Sequence, residues 1–317
     1  MRRAAFIAVL ILPAAPVAAG DLVLDLPIDC TIGETCYIQN LVDHDPGPGF
    51  VDYTCGTLGY DGHTGTDFAL PTMADMRRGV DVLASASGVV QGWRDGVADV
   101  GITAQTAGKE CGNGVVLRHD NGWETQYCHL KSGSVTVENG QRIERGDVLG
   151  QIGFSGLTEF PHVQLSLRKD GQKVDPFDAS SITTCGDGGK SLWADPPDYT
   201  PGGVLDAGFY PGIPDYDLIK DGSAASAELA QDADALVLFG FAYSGRKGDL
   251  MNMRIIGPKG EFLSQSIKLD KDQAQFFRAT GKRLTKARWP AGTYTGIVTL
   301  QRGAQTLGTQ QVQMVIR

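Results

Sequence analysis

Residues 60 to 67 read Tyr-Asp-Gly-His-Thr-Gly-Thr-Asp, and they carry the clearest chemistry in the chain. His63 and Asp67 place an imidazole and a carboxylate four positions apart in a glycine-rich turn. These are common zinc donors, bound as neutral imidazole and ionised carboxylate. The chain has 5 histidines. Two more lie in marked settings: His129 in Tyr127-Cys128-His129-Leu130, and His162 in Pro161-His162-Val163-Gln164. Together they point to metal-assisted hydrolysis. Gln164 stands where a His-x-His would complete a three-donor site. Its amide oxygen is a hard, uncharged donor, whereas zinc favours nitrogen or sulfur.

Short strands must carry these groups. Val80 to Leu83, Gly88 to Trp93, Val115 to His119, Glu124 to Leu130, Gln141 to Gln151 and His162 to Arg168 have strand composition. Asn121-Gly122, Asn139-Gly140 and Asp170-Gly171 are turn pairs between them. Ala74 to Arg78 reads as a brief helix. Alternation along a strand places Tyr127 and His129 on one face, with Cys128 behind. It also places His162 and Gln164 on one face, with Pro161 fixing the strand's entry. His162 is suited to act as a general base or to stabilise an oxyanion. His119, ending a strand before a turn, is expected to be structural. His44 lies in the loop around Asp45-Pro46-Gly47-Pro48-Gly49, either at the surface or reaching the cleft as an added ligand. Gly153-Phe154-Ser155-Gly156 lacks the spacing of a nucleophile elbow.

Residues 1–19 read as a secretory signal. Arg2 and Arg3 precede an apolar run to Pro13, and Val17-Ala18-Ala19 offers small residues for cleavage. No later stretch reaches the length of a membrane span. The formal charge is -9, with 28 basic and 37 acidic residues. Loss of Arg2 and Arg3 takes it to about -11, a poor basis for binding nucleic acid. The expected location is exported, in the periplasm.

An even cysteine count in an exported chain favours disulfides. There are 6: Cys30, Cys36, Cys55, Cys111, Cys128 and Cys185. Cys30 and Cys36 are near enough to close a small loop. Cys111 and Cys128 flank the hairpin turning at Asn121-Gly122. Cys55 and Cys185 pair by elimination. None has the C-x-x-C spacing of a zinc knuckle.

The chain divides by pattern. Residues 20–60 form an N-terminal extension packed on the first domain, and 61–178 form a strand-rich domain. Residues 179–232, dense in proline and glycine, read as an irregular, semi-rigid linker. Residues 233–317 hold regularly spaced strands and suggest a small immunoglobulin-like β-sandwich. That last segment has no Cys and no His, so a binding or spacer role is expected.

With these motifs in order, residues 58 to 178 resemble the lysostaphin-type, or LytM-like, zinc metallopeptidases of peptidoglycan. The likeness runs through Gly62-His63-Thr64-Gly65-Thr66-Asp67, Val82 to Val90, Gly114 to His119, Thr125 to Leu130, Gly140 to Gly150, Gly153 to Gly156 and Pro161 to Leu165. The resemblance implies a mainly β fold, with an antiparallel, barrel-like sandwich around a narrow cleft. It implies that His63 and Asp67 ligate zinc, and that His129 and His162 are catalytic. Gln164 takes the position of the third ligand. The function implied is hydrolysis of peptide cross-links by zinc-activated water. The other expectation is a non-catalytic murein binder or regulator with a decayed zinc site. Peptide stems of peptidoglycan are the expected partner, with a cell-wall protein on the C-terminal domain.

Overall fold

The computed structural model describes residues 22–186 and 189–317. The expected signal segment, 1–19, lies outside the described residues. The chain is mainly β, and no described helix is long and apolar enough to cross a membrane.

The first part comprises β1 (Tyr37–Asn40), β2 (Thr66–Ala69), α1 (Met73–Arg78), β3 (Asp81–Leu83), β4 (Gly88–Arg94), β5 (Asn113–Arg118), β6 (Trp123–Leu130), β7 (Arg142–Ile143), β8 (Val148–Gln151), β9 (His162–Lys169) and β10 (Gln172–Val174). One 8-stranded sheet runs β1-β2-β9-β6-β5-β4-β7, with β10 also on β9, and β3 pairs β8 separately. Every pairing here is antiparallel. The sheet stays open and forms no closed barrel. Asp170 and Gly171, both at positive φ, make the tight β9–β10 turn. Thr72 and Asp75 cap α1 reciprocally in a capping box.

Alternation along β9 sends Val163, Leu165 and Leu167 inward, where they are almost fully buried with Val115, Leu117, Tyr127 and Phe68. Each such side chain contributes about 1.5–3 kcal/mol on leaving water. The opposite face of β9 presents His162 and Gln164. Residues 22–60, within the segment expected as an extension packed on the first domain, lie against that domain and also join its sheet. β1 extends the main sheet through β2, and Leu24, Ile28 and Leu41 lie in the same core.

The second part comprises β11 (Gly203–Tyr210), α2 (Tyr216–Asp221), β12 (Glu228–Leu229), β13 (Ala235–Gly245), β14 (Leu250–Gly257), β15 (Gly260–Lys268), β16 (Gln273–Arg283), β17 (Gly292–Arg302) and β18 (Gln305–Ile316). A β11-β13-β16 sheet faces a β12-β18-β17-β14-β15 sheet. Phe209, Leu236 and Leu238 of the first pack with Met253, Val298 and Met314 of the second. The stretch expected as an irregular linker, 179–232, thus contains β11, whose register with β13 runs from Gly203↔Tyr243 to Tyr210↔Val237. It also contains α2.

The two parts touch. The rings of Tyr37 and Tyr243 lie 4.4 Å apart, and Gln275 donates to the Tyr37 hydroxyl at 2.8 Å. Arg77 of α1 pairs with Asp221 of α2 at 2.6 Å. Tyr243 is buried in the core of the first part.

Candidate active site

β2 and β9 bring the first pair of groups together. Their register sets Asp67 opposite Gln164 and Ala69 opposite His162. Residues directly opposed share a face, so Asp67, His162 and Gln164 line one surface. Gly65 permits this approach. A Cβ there would meet the Gln164 side chain and the Leu165 carbonyl at 2.8 Å.

His129 arrives by a different route from the one alternation predicts. Asn113 pairs with Leu130, but Gly114 pairs with Cys128, so His129 is the extra residue of a bulge. Its φ is 67°, in the left-handed region that side chains other than glycine seldom adopt. Tyr127 points into the core, its hydroxyl accepting from the Ser85 amide at 2.8 Å. Cys128 opposes Gln164 and so lies on the site face. Tyr127 and His129 therefore do not share a face, because the bulge breaks the period of two.

The assembled cluster is tight. The His63 Nε2 lies 3.2 Å from Asp67 Oδ1, and the His162 Nε2 lies 3.5 Å from the same oxygen. The rings of His129 and His162 are 4.6 Å apart. All four residues are buried. Each imidazole is held through its other nitrogen. His63 Nδ1 meets the Leu41 carbonyl at 2.8 Å, and His129 Nδ1 the Ser155 carbonyl at 2.8 Å. His162 Nδ1 meets the Phe160 carbonyl at 3.0 Å and the Thr158 hydroxyl at 3.1 Å. Such contacts fix the ring orientation and leave Nε2 to face the site.

The charge states follow from this packing. Burial alone would raise Asp67, but His63 and His162 outweigh it and hold the carboxyl below its ordinary range. Burial would lower His63, and Asp67 instead draws it up. Burial and then His162 push His129 down to about 4. Burial likewise lowers His162. The site at neutral pH holds one carboxylate and two neutral imidazoles, His129 and His162.

Four supporting residues escape a reading by motif. Asn40 of β1 donates to Asp67 Oδ2 at 2.7 Å. The Asp43 carboxylate accepts from the Gly62 amide at 2.7 Å and steadies the turn that carries His63. Tyr60 covers the His63 ring at 4.7 Å, and Phe160 stacks on His162 at 4.5 Å. The aromatic residues had a local cue, lying three and two positions before a histidine. Asn40 and Asp43 had none.

The other histidines stay outside. His44 is buried, with Nδ1 on the Thr184 carbonyl at 2.7 Å and Nε2 on Asp175 at 2.8 Å. It is neither a surface residue nor a cleft ligand. His119 meets the Ser87 carbonyl and the Thr125 hydroxyl, each at 2.8 Å, as a structural histidine should. The disulfides are Cys30–Cys36, Cys55–Cys185 and Cys111–Cys128, as expected.

Residues 61–176 match the family model described as Peptidase family M23. This segment is an M23 peptidase domain. Over 123 residues the chain is 35% identical to the DD-carboxypeptidase/endopeptidase Mpg of Neisseria meningitidis serogroup B, covering 38% of this chain and 23% of that protein. Over 118 residues it is 32% identical to the peptidoglycan DD-endopeptidase ShyA of Vibrio cholerae serotype O1, covering 37% of this chain and 23% of that protein. The chain thus spans less than a quarter of either relative. Among solved structures, the catalytic domain of the prophage-encoded M23 protein EnpA from Enterococcus faecalis aligns at 23% identity. That match has a TM-score of 0.34 and covers 48% of this chain and 96% of that one.

Besides the hydroxyls of Thr66 and Ser85, the M23 domain holds two buried polar atoms without a hydrogen-bond partner, His63 Nε2 and Asp67 Oδ1. They form a donor pair suited to zinc. Opposite Asp67, on β9, the next side chain is the Gln164 amide, whose interaction with His129 acts to raise that ring's pKa. Among the described residues, no group of three His, Cys, Asp or Glu side chains is placed to hold a metal ion. The residues supply two good zinc donors and fall short of the three that a catalytic zinc takes from protein.

Proposed function

We propose that this chain is an exported, periplasmic protein that binds peptide stems of peptidoglycan through its M23 cleft, with a zinc site weakened at Gln164. The observation carrying this reading is the cluster itself. His63, Asp67, His129 and His162 converge as in a hydrolase, yet Gln164 occupies the position opposite Asp67. Spreading a structural zinc affinity of roughly 10–16 kcal/mol over four ligands, the missing imidazole costs about 3 kcal/mol of metal binding. The three disulfides support export. The peptidoglycan activity in the name of ShyA supports the ligand class.

A second reading is favoured by the orphaned pair. His63 Nε2 and Asp67 Oδ1 carry the desolvation cost of a metal site. A weak hydrolase that binds zinc through two protein donors would explain why they are kept. His63 and Asp67 would then hold the metal, and His129 and His162 would serve the reacting groups.

Zinc content and muropeptide release, measured on the natural chain and on Gln164→His, separate the two. The binder reading expects substoichiometric zinc and no release from the natural chain, retention on purified peptidoglycan, and full zinc occupancy in Gln164→His. Stoichiometric zinc with cutting by the natural chain would establish the hydrolase instead. If Gln164→His folds but takes no zinc, the assignment of His63 and Asp67 as ligands fails.

A further inference from the structure

A cavity of about 190 Å³ opens beside the cluster, between the M23 domain and α2. Its walls are Met73, Phe154 and Phe160 on one side and Phe241 on the other. Phe160 belongs to both places. Its ring stacks on His162 and also lines the cavity. An extended peptide laid across His162 advances about 3.3 Å per residue, so a neighbouring side chain falls within reach of this opening. The volume corresponds to about six waters, enough for one long side chain.

The charges at its mouth choose the occupant. Asp217 is paired with Lys220 at 2.9 Å, and Asp221 with Arg77 at 2.6 Å. Glu159, exposed at the rim, meets no cation among the described residues. The mouth therefore carries one uncompensated carboxylate above apolar walls. A side chain with an aliphatic stem and a terminal ammonium matches both features, the stem lying against Met73, Phe160 and Phe241 and the charge meeting Glu159. Aromatic faces add attraction for the same cation.

We infer that this cavity is a subsite for a peptide residue carrying a primary amine on an aliphatic side chain. The inference rests on the peptide-binding reading of the cleft, and it adds the second part of the chain to the recognition surface through α2 and Phe241.

Calorimetric titration of the full chain tests it, and needs no catalytic activity. The probes are a soluble peptide stem with a free side-chain amine and the same stem acetylated at that amine. The natural chain is expected to prefer the free amine by about fivefold, the upper range for an exposed ion pair. Glu159→Gln should abolish the preference. Met73→Arg, which fills the cavity and adds a like charge, should weaken the free-amine stem while the acetylated stem loses less. Equal affinity of the natural chain for both stems, or a preference that survives Glu159→Gln, overturns the subsite and leaves cleft binding standing. No binding of either stem overturns both.

Discussion

The M23 domain and the C-terminal sandwich are built from similar strands but use burial in opposite ways. The sandwich is filled conventionally, with Phe209, Leu238, Met253 and Val298 meeting between its sheets. It has no histidine and no cysteine. The M23 domain buries three imidazoles and a carboxylate beside one another, with two polar atoms left unsatisfied. It also sets His129 in a left-handed conformation. Unsatisfied polar atoms cost about 1–3 kcal/mol each, and strained backbone costs of order 1–3 kcal/mol. The sandwich carries the same kinds of cost at Arg246 Nε and at Ser244, whose φ is 50°, but not clustered at a site. The three disulfides all lie in the first part of the chain. The contrast indicates that site chemistry and covalent bracing belong together here.

The sharpest way to break this comparison is to remove a bridge. Cys55 and Cys185 are 130 residues apart in sequence. By the loop-entropy relation, replacing both with serine should destabilise the M23 domain by about 4–5 kcal/mol. Thermal unfolding followed by calorimetry should show its transition fall sharply while the sandwich transition moves little. An equal fall in both would mean that the two parts unfold as one body.

A core truncation tests the other side. Leu238→Ala, at a fully buried position of β13, should cost the sandwich about 2–5 kcal/mol. Chemical denaturation should report this loss with zinc uptake and peptide binding at the M23 domain unchanged. Loss of both would place the sandwich within the site's own stability.

The pH dependence should also differ between the parts. Both nitrogens of His44 face oxygens, the Thr184 carbonyl and the Asp175 carboxyl. Burial acts to lower its pKa, but hydrogen bonds to Asp175 and the Thr184 carbonyl outweigh this and raise it above the ordinary 6.5. The contribution is therefore complete below about 6.5, the unfolded value, and is lost as pH rises through the higher folded value. Melting the natural chain and His44→Gln across neutral to mildly alkaline pH should show a steeper loss in the natural M23 domain than in the variant, where only His63, drawn up by Asp67, still contributes. A parallel trend in the variant would remove His44 as its cause.

The smallest effect is expected at the contact between the parts. Gln275→Ala removes the hydrogen bond to Tyr37 and should cost about 1 kcal/mol. It should narrow the coupling between the two melting transitions rather than lower either one alone.

The sequence exposed much of this arrangement. The regularly spaced strands expected over residues 233–317 are present as β13 to β18, because alternation and turns mark them. β2 was hidden because all four of its residues are buried and so show no alternation. β11 was hidden by proline and glycine at either end. The residue types of the cluster and their convergence were legible from motif order. The route of His129 was not, since a bulge is a property of the pairing with β5 and leaves no mark in β6 itself. Asn40 was unreadable for a related reason, as its role depends on lying beside Asp67 in a neighbouring strand.

β1 forms one border of the eight-stranded sheet, and all four of its residues are buried. Tyr37 and Gln39 reach Gln275 and the Ala274 carbonyl. A bare border strand is a template on which a second chain can add itself. By seating the sandwich there, the protein denies that border to strand exchange and to fibrous self-association, hazards for any sheet with an open edge.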